Sequence, residues 1–354
     1  MSSPRDRPAA PTTPHDALIK TTFSRVEHAA ALLRQVLPSA IVKRLDFSTL
    51  TCCPGSFVDS KLAARHTDLL FSVKLSGRPV FLYLLFEHQS RVDPLMAFRL
   101  LEYMVRIWED HLRKHPGARR LPAILPVVLH HSETGWRADV TLEALLDLDP
   151  DTLAAVAEYV PRFRFVLDDI SAEPDEALRQ RPITALGKLV LWCLRHSRAP
   201  DKLVQRLPEW ADLVREVRAA PDGVAVLAAI WRYILAVSDR KRPEEVLARL
   251  LAAVEEEDAR EDIMNVADQL REEGRLKGLA EGKREGKREG LAEGQRKGLA
   301  EGQRSTLLRL LRARFGVLPA DVTARIRAAG AAQLDVWTER ILTAPTLSAV
   351  LGET

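Results

Sequence analysis

Between residues 66 and 89 two apolar runs flank the four residues Ser76-Gly77-Arg78-Pro79, and this layout restricts the fold more than any other stretch. The second run, Val80-Phe81-Leu82-Tyr83-Leu84-Leu85-Phe86, is the most apolar segment of the first hundred residues. It is too short for a core helix and is apolar throughout, with three aromatic residues, so it reads as a buried strand. Gly and Pro at the junction signal a tight turn, and the pair is expected as strands at roughly 66–75 and 79–89. Both runs meet polar side chains at the end away from the turn: Asp68 in the first strand, then Glu87 and Gln89 at the far end of the second. Burying such a carboxylate without a partner costs several kcal/mol or more. Glu87 and Gln89 are two apart and therefore share a strand face, where an acid from the neighbouring strand can meet them.

The rest of the chain supplies covering layers. Residues 1–14 are rich in Pro, Ser and Thr and are expected as a disordered tail. From Asp16 to about Leu37 apolar residues recur at helical spacing until Pro38, followed by a shorter helix or turn to about Asp46. Pro94 opens a long helix with Met96, Leu100, Tyr103, Ile107 and Leu112 on one face, to about Lys114. Strands are expected at Ala123–Leu129, where Pro126 argues for an edge or a bulge, and at Phe163–Asp168 after a helix starting near Thr152. Helix, strand pair, helix, strand, strand makes a compact α/β unit over 15–172. Residues 173–270 read as four or five short helices broken near Pro200, Pro208, Pro221 and Pro243, either extending the first domain or forming a separate layer.

Residues 271–304 differ in kind. Glycine recurs every fourth residue from 274 to 302, set among Glu, Lys, Arg and a few Leu and Ala. As a helix, this 28-residue span would be about 42 Å long, and its eight glycines would cost on the order of 8 kcal/mol against alanine. Opposite charges at i,i+3, such as Glu281–Arg284 and Glu285–Arg288, offset part of that cost. The stretch reads as a solvated, frayed helical linker; the sharper alternatives are a helix–helix contact in a homo-oligomer or a charged arm on DNA. Residues 305–354 read as a small helical unit with a stop at Gly316 and a restart at Pro319.

Lys and Arg number 52 against 49 Asp and Glu, so any nucleic-acid surface must be a local patch. Cys52, Cys53 and Cys193 lack metal or disulfide spacing and fit a reducing compartment. The N-terminus has no apolar signal core, and the run Val224–Val237 is too short and interrupted by Arg232, so a cytoplasmic protein without a membrane span is expected.

Two carboxylates at a strand end suit a divalent cation. Mg²⁺ held by Asp68 and Glu87, with Mn²⁺ as a substitute, would polarise a phosphodiester and supply a nucleophilic water. The His88 carbonyl lies between the two polar side chains, and Gln89 would orient the water or the phosphate. For Asp68 the plain alternative is pairing with the basic run near Lys61 and Arg65; for Glu87, a strand end in solvent. Zinc is disfavoured: among His66, His88, His130 and His131 no pair has i,i+4 spacing around an acid, and His130 and His131 are adjacent. Asp16 either supports the site from the first helix or caps that helix.

The words around these residues carry a resemblance. Asp-Leu-Leu-Phe at 68–71, Leu-Leu-Phe-Glu-His-Gln-Ser at 84–90 and Asp-Pro-Leu-Met-Ala-Phe-Arg-Leu-Leu-Glu-Tyr-Met-Val-Arg-Ile-Trp at 93–108 resemble the Rpn/YhgA-like recombination-promoting nucleases. So do His15-Asp16-Ala17-Leu18-Ile19-Lys20 and the strand around Pro126-Val127-Val128-Leu129, over about 14–170 in all. The segment from Ser305 resembles a domain of unknown function appended to these proteins. The resemblance implies a PD-(D/E)XK, restriction-endonuclease-like α/β core and a Mg²⁺-dependent DNA endonuclease promoting recombination. Within it Asp68 and Glu87 are the acids of the first and second core strands. Gln89 stands where the wider superfamily has lysine, although glutamine is the norm in this subfamily. His130-His131-Ser132 replaces an expected Tyr-Asn-Gly-like turn. No recognition helix is visible, which agrees with low sequence specificity. The competing expectation is a catalytically weak or inactive nuclease fold that binds DNA and assembles through 271–354; action on RNA is a third.

Overall fold

The computed structural model describes residues 13–53, 67–87, 92–238 and 242–352. The expected tail at 1–14 falls almost wholly outside them, as do Lys61, Arg65, His66, His88 and Gln89. The chain divides into two units, Met1–Leu270 and Arg271–Thr354.

The first unit is built on a five-stranded mixed sheet in the order β1-β2-β3-β4-β5: Leu45–Cys52, Thr67–Leu75, Arg78–Glu87, Ile124–His130 and Val166–Asp169. β1, β2 and β3 are antiparallel neighbours, whereas β3, β4 and β5 run parallel. The expected α/β class is present. Ser76 and Gly77, at φ 48° and 81°, join β2 to β3. Both central residues of a two-residue hairpin of the I′ type need positive φ, and glycine tolerates it without strain.

Alternation sorts the strand residues onto two faces. Leu70, Tyr83, Leu85 and Val128 pack under α4 (Met96–Lys114), against its Met96, Leu100, Tyr103 and Ile107. Leu69, Phe71, Leu82, Leu84, Phe86, Val127 and Leu129 join the larger core. That core takes in α1 (Pro14–Phe23), α2 (Val26–Val36) and most of the helices α6 to α11: Asp175–Gln180, Ala185–Arg195, Pro200–Arg206, Ala211–Arg218, Gly223–Val237 and Pro243–Ala252. The helices after residue 172 therefore share one core with the sheet and form no separate layer. Trp192 and Trp210 stack within it at 4.7 Å between centroids, an arrangement contributing about 0.5–1.5 kcal/mol beyond burial.

Three local expectations are corrected. The helix read over 16–37 is two helices, because Arg25 leaves helical geometry (φ −81°, ψ 125°) and its guanidinium pairs with Asp222. The short helix expected before Asp46 is present as α3 (Ser39–Val42), but it leads straight into a strand, β1, that was not expected. β1 is an edge strand with a register irregularity between Asp46 and Thr51, so its alternation is blurred. Pro126 lies in an internal strand. Phe81 N–H donates to the Ala123 carbonyl and Ile170 N–H to the His130 carbonyl, so even-numbered residues of β4 face β5. β5 pairs only from Val127↔Val166 onward, and the missing Pro126 donor falls just before that ladder begins.

α5 (Pro150–Val156) precedes β5 and is capped by Asp149, which accepts from the Asp151 and Thr152 N–H groups. Among the described residues no helix is long and apolar enough to cross a membrane.

In the second unit the glycine repeat is helical throughout, within α12 (Glu257–Phe315), and its side chains are exposed over 271–299. A Cβ at any of the eight glycines would meet open space. Ion pairs one turn apart, Glu293–Lys297 at 2.7 Å and Glu272–Arg275 at 2.7 Å, support the helix. Gly316, at φ 79°, stops it. α13 (Ala320–Ala328), α14 (Ala331–Arg340) and α15 (Leu347–Leu351) then close a small core with Leu307 and Leu311 around Ile326, Leu334, Trp337 and Val350.

Candidate active site

Asp68 is the second residue of β2, at the sheet end where β3, β4 and β5 finish. It pairs across the ladder with Leu85. Glu87 lies two residues further along β3 and so falls on the same face as Leu85 and Asp68. Residues diagonal across an antiparallel pair have Cα atoms roughly 7–8 Å apart. The row continues across the sheet, with Glu87 in register with His130 and His130 with Asp169.

The Asp68 carboxyl sits uneasily. Burial pushes it up to about 6, against the steadying effects of the Tyr83 hydroxyl, Lys20 and Arg99, with Asp16 adding to the rise. The interaction with Tyr83 stops short of a formed hydrogen bond: among the described residues Asp68 Oδ1 and Tyr83 Oη are both buried without one. Leaving a buried acceptor unsatisfied costs about 1–3 kcal/mol, more for a charged group. An orphaned carboxylate oxygen beside the register position of a second acid is the donor chemistry a hard divalent cation selects. The residues present therefore fit such an ion, although among the described residues no group of three His, Cys, Asp or Glu side chains is placed to hold one.

The remaining expected residues divide. Asp16 is the third residue of the α1 capping box: its Oδ2 accepts from Thr13 N–H and its own N–H donates to Thr13 Oγ1, both at 3.2 Å. It closes the helix end and also bears electrostatically on Asp68, so both readings of this residue have a basis. His88 and Gln89 lie outside the described residues. His130 is fully buried, with Nε2 3.0 Å from Ser132 Oγ and its ring edge-on to Trp136. Asp169 accepts from Trp136 N–H (2.7 Å) and Ser171 N–H (3.0 Å), which ties down the loop after β4. Burial, with Arg198 and His130 adding, pushes His131 down to about 4.

Sequence reasoning passed over three groups near Asp68: Tyr83 on β3, Lys20 on α1 and Arg99 on α4. Tyr83 is the one hydroxyl in an otherwise apolar strand, which was a usable signal. Lys20 stands four residues after Asp16 and shares its helix face. Arg99 is anchored by a 2.7 Å ion pair to Asp93, whose other oxygen accepts from Leu95 N–H at the start of α4.

In a second polar cluster of the same unit the central carboxylate is partnered on both oxygens. Asp175, at the start of α6, accepts from Arg195, from Arg206 (2.5 Å), from His196 (2.9 Å) and from Trp192 Nε1 (3.2 Å). Burial raises this carboxyl, but His196, Arg195 and Arg206 outweigh it and hold it below the ordinary range. Asp168 likewise takes a two-pronged bond from Arg181 at 2.8 and 2.9 Å, and Arg181 Nε donates to Glu173 at 3.0 Å. These arrangements tie helices to the sheet.

Comparison with known proteins places the chain. Residues 13–225 match the family model "Putative transposase, YhgA-like". Recombination-promoting nuclease RpnD of Escherichia coli O157:H7 is 31% identical over 259 residues, 73% of this chain and 94% of that protein. Inactive recombination-promoting nuclease-like protein RpnE of Escherichia coli K12 is 30% identical over 272 residues, 76% and 85% of the two chains. Recombination-promoting nuclease RpnA of the same strain is 29% identical over 264 residues, 74% and 85%. No solved structure matches. With a family match over more than half its length and relatives aligned along most of theirs, the chain belongs to the YhgA-like transposase family, together with the Rpn recombination-promoting nucleases.

Proposed function

We propose that this protein is a Mg²⁺-dependent DNA endonuclease that cuts or nicks duplex DNA with low sequence specificity and so promotes recombination. The observation that carries the reading is Asp68: a carboxyl at the sheet end, with one oxygen buried and unsatisfied, diagonal in register to Glu87. Asp68 and Glu87 would hold the cation, with Mn²⁺ as a substitute, and the His88 carbonyl is a further oxygen between Glu87 and Gln89 in sequence. Such an ion, when bound, neutralises phosphate charge and lowers the pKa of its water. Gln89 orients the attacking water or the phosphate; having no charge, it serves as neither base nor cation. Asp16 supports the site through its charge. The test is nicking of supercoiled plasmid with Mg²⁺ by wild type, Asp68→Ala and Glu87→Ala. Loss of cutting in both variants is expected; cutting at the parental rate by both would remove the assignment.

The second reading, a non-cleaving DNA-binding or assembly factor, is favoured by one specific observation: RpnE, a relative of equal similarity, is named inactive. DNA affinity that survives EDTA, with no nicking under Mg²⁺ or Mn²⁺, would select it. We also infer a cytoplasmic setting, consistent with three unbridged cysteines, and self-association through the exposed repeat of α12, read out by the mass of the particle in solution.

A further inference from the structure

Charge is divided unevenly between the two units. Through residue 270 Lys and Arg number 36 against 38 Asp and Glu, whereas from Arg271 on they number 16 against 11. The excess is uneven again within the second unit. In the glycine repeat the cations alternate with Glu, and pairs such as Lys277–Glu281 and Lys297–Glu293 cancel along the helix. Beyond it, residues 304 to 327 hold six arginines, at 304, 309, 312, 314, 325 and 327, and a single acid, Asp321.

The fold gathers these arginines on one helical hairpin. Gly316 ends α12, and α13 starts after Pro319. The Arg304 guanidinium donates to the Ala329 carbonyl at 2.8 Å, so the end of α13 returns to the level of Arg304 and the two helices run antiparallel. Leu307, Leu311, Val322 and Ile326 take the inner faces. Arg309 and Arg312, one turn apart on α12, and Arg327 on α13 are exposed. Arg304 and Arg314 donate to the neutral carbonyls of Ala329 and Ala344, which leaves their charge uncancelled. Among the described residues none of Arg304, Arg309, Arg312, Arg314 and Arg327 enters an ion pair, whereas in the first unit Arg181, Arg195, Arg206 and Arg218 each face a carboxylate.

Five such groups on a rigid hairpin make a cationic surface with no internal counter-ion. Each guanidinium is a planar fork that matches two phosphate oxygens at once. The arginines of α12 spread over about 15 Å of helix from Arg304 to Arg314, and duplex DNA presents one negative charge per about 1.7 Å of its axis. The first unit has no net positive charge of its own with which to hold such a polyanion. We propose that the α12–α13 hairpin is a surface for duplex DNA, on which Arg309, Arg312 and Arg327 contact backbone phosphates. It rests on the reading above that the chain acts on duplex DNA. Phosphate contacts carry no sequence information, in keeping with low specificity.

The experiment titrates a short fluorescent duplex with the full chain in EDTA over a range of salt. It compares wild type, the triple variant Arg309→Gln/Arg312→Gln/Arg327→Gln, and a control triple, Arg275→Gln/Lys277→Gln/Lys297→Gln. The control removes the same charge from ion-paired positions of the repeat. Thermal melting is recorded on the same samples, and plasmid nicking with Mg²⁺ is scored separately. The arginine triple is expected to bind on the order of 10²-fold more weakly at about 0.1 M salt, with the slope of log K against log salt reduced by about 3. Its melting should match wild type, and the control triple should keep most of the affinity and slope. Wild-type affinity and slope in the arginine triple would overturn the assignment, as would an equal loss in the control or a wild type that binds no duplex. Arginine-dependent binding of anionic phospholipid vesicles or single-stranded RNA, but not of the duplex, would overturn it too. Nicking separates this surface from the nuclease reading. Arginine-dependent duplex binding without nicking keeps the surface and removes the endonuclease; nicking with binding that ignores these arginines does the reverse.

Discussion

Asp68, half-buried with one buried oxygen, and Asp175, buried, are carboxylates in one unit of one chain, and they are treated in opposite ways. Asp175 is surrounded by Arg195, Arg206, His196 and the Trp192 indole, and its charge is held on. Asp68 has an oxygen with no hydrogen bond among the described residues and a carboxyl lifted to about 6. Had both served only the fold, both would be expected to carry partners, since an unpaired buried charge is among the costliest features a core can hold. The difference separates a carboxylate that joins helices from one with an oxygen left unsatisfied, as the proposed metal-ligand role would require. Strain of this kind at the end of a sheet is a recurring property of sites that bind and react.

The contrast is broken most forcefully by neutralising each acid. Asp175→Asn leaves two arginines facing a neutral amide and is expected to cost about 3–5 kcal/mol in urea unfolding, in line with breaking a buried ion cluster. Arg181→Met strips Asp168 of its two-pronged donor and is expected to cost about 3 kcal/mol by the same measurement. Asp68→Asn is expected to do the reverse above pH 7: raising a carboxyl to about 6 penalises its ionised form by up to roughly 3 kcal/mol, which the amide escapes. A destabilised Asp68→Asn would place Asp68 with the structural acids.

pH sharpens the same comparison. A carboxyl whose folded pKa lies above its unfolded value leaves the native state holding more protons, so stability falls as pH rises through that window. The advantage of Asp68→Asn over wild type should therefore be absent below about pH 4, grow between 4 and 6, and be complete above 6. For His131 the sign is opposite: its folded pKa of about 4 means the unfolded chain binds the extra proton, and stability is lost as pH falls from about 6.5 toward 4. The smallest effect is expected for Tyr83→Phe, within about 1 kcal/mol, because the lost hydroxyl has no formed hydrogen bond to give up; the Asp68 titration should move up.

What could be read in advance follows the physics of burial. β2, β3, the turn at Ser76-Gly77, α4 and the stop at Gly316 were legible because apolar runs, helical spacing and glycine each act locally. β1 was not, since an exposed edge strand with an irregular register keeps no clean alternation. Nor was the internal place of Pro126, which depends on where a strand forty residues later begins to pair. Asp68 and Glu87 could be nominated because strand period and one turn relate them. Tyr83, Lys20 and Arg99 bear electrostatically on the same carboxyl from three elements whose convergence only the tertiary structure expresses.

On the proposed function, Asp68 is kept for a bound cation at the expense of the apo fold. Thermal unfolding of wild type and Asp68→Asn at pH 7.5, each with and without Mn²⁺, tests it most directly, because an ion that binds only the native state stabilises it by mass action. Asp68→Asn should melt higher than wild type without metal, and Mn²⁺ should raise only the wild-type transition. A less stable Asp68→Asn, or an equal rise in both proteins, would contradict it.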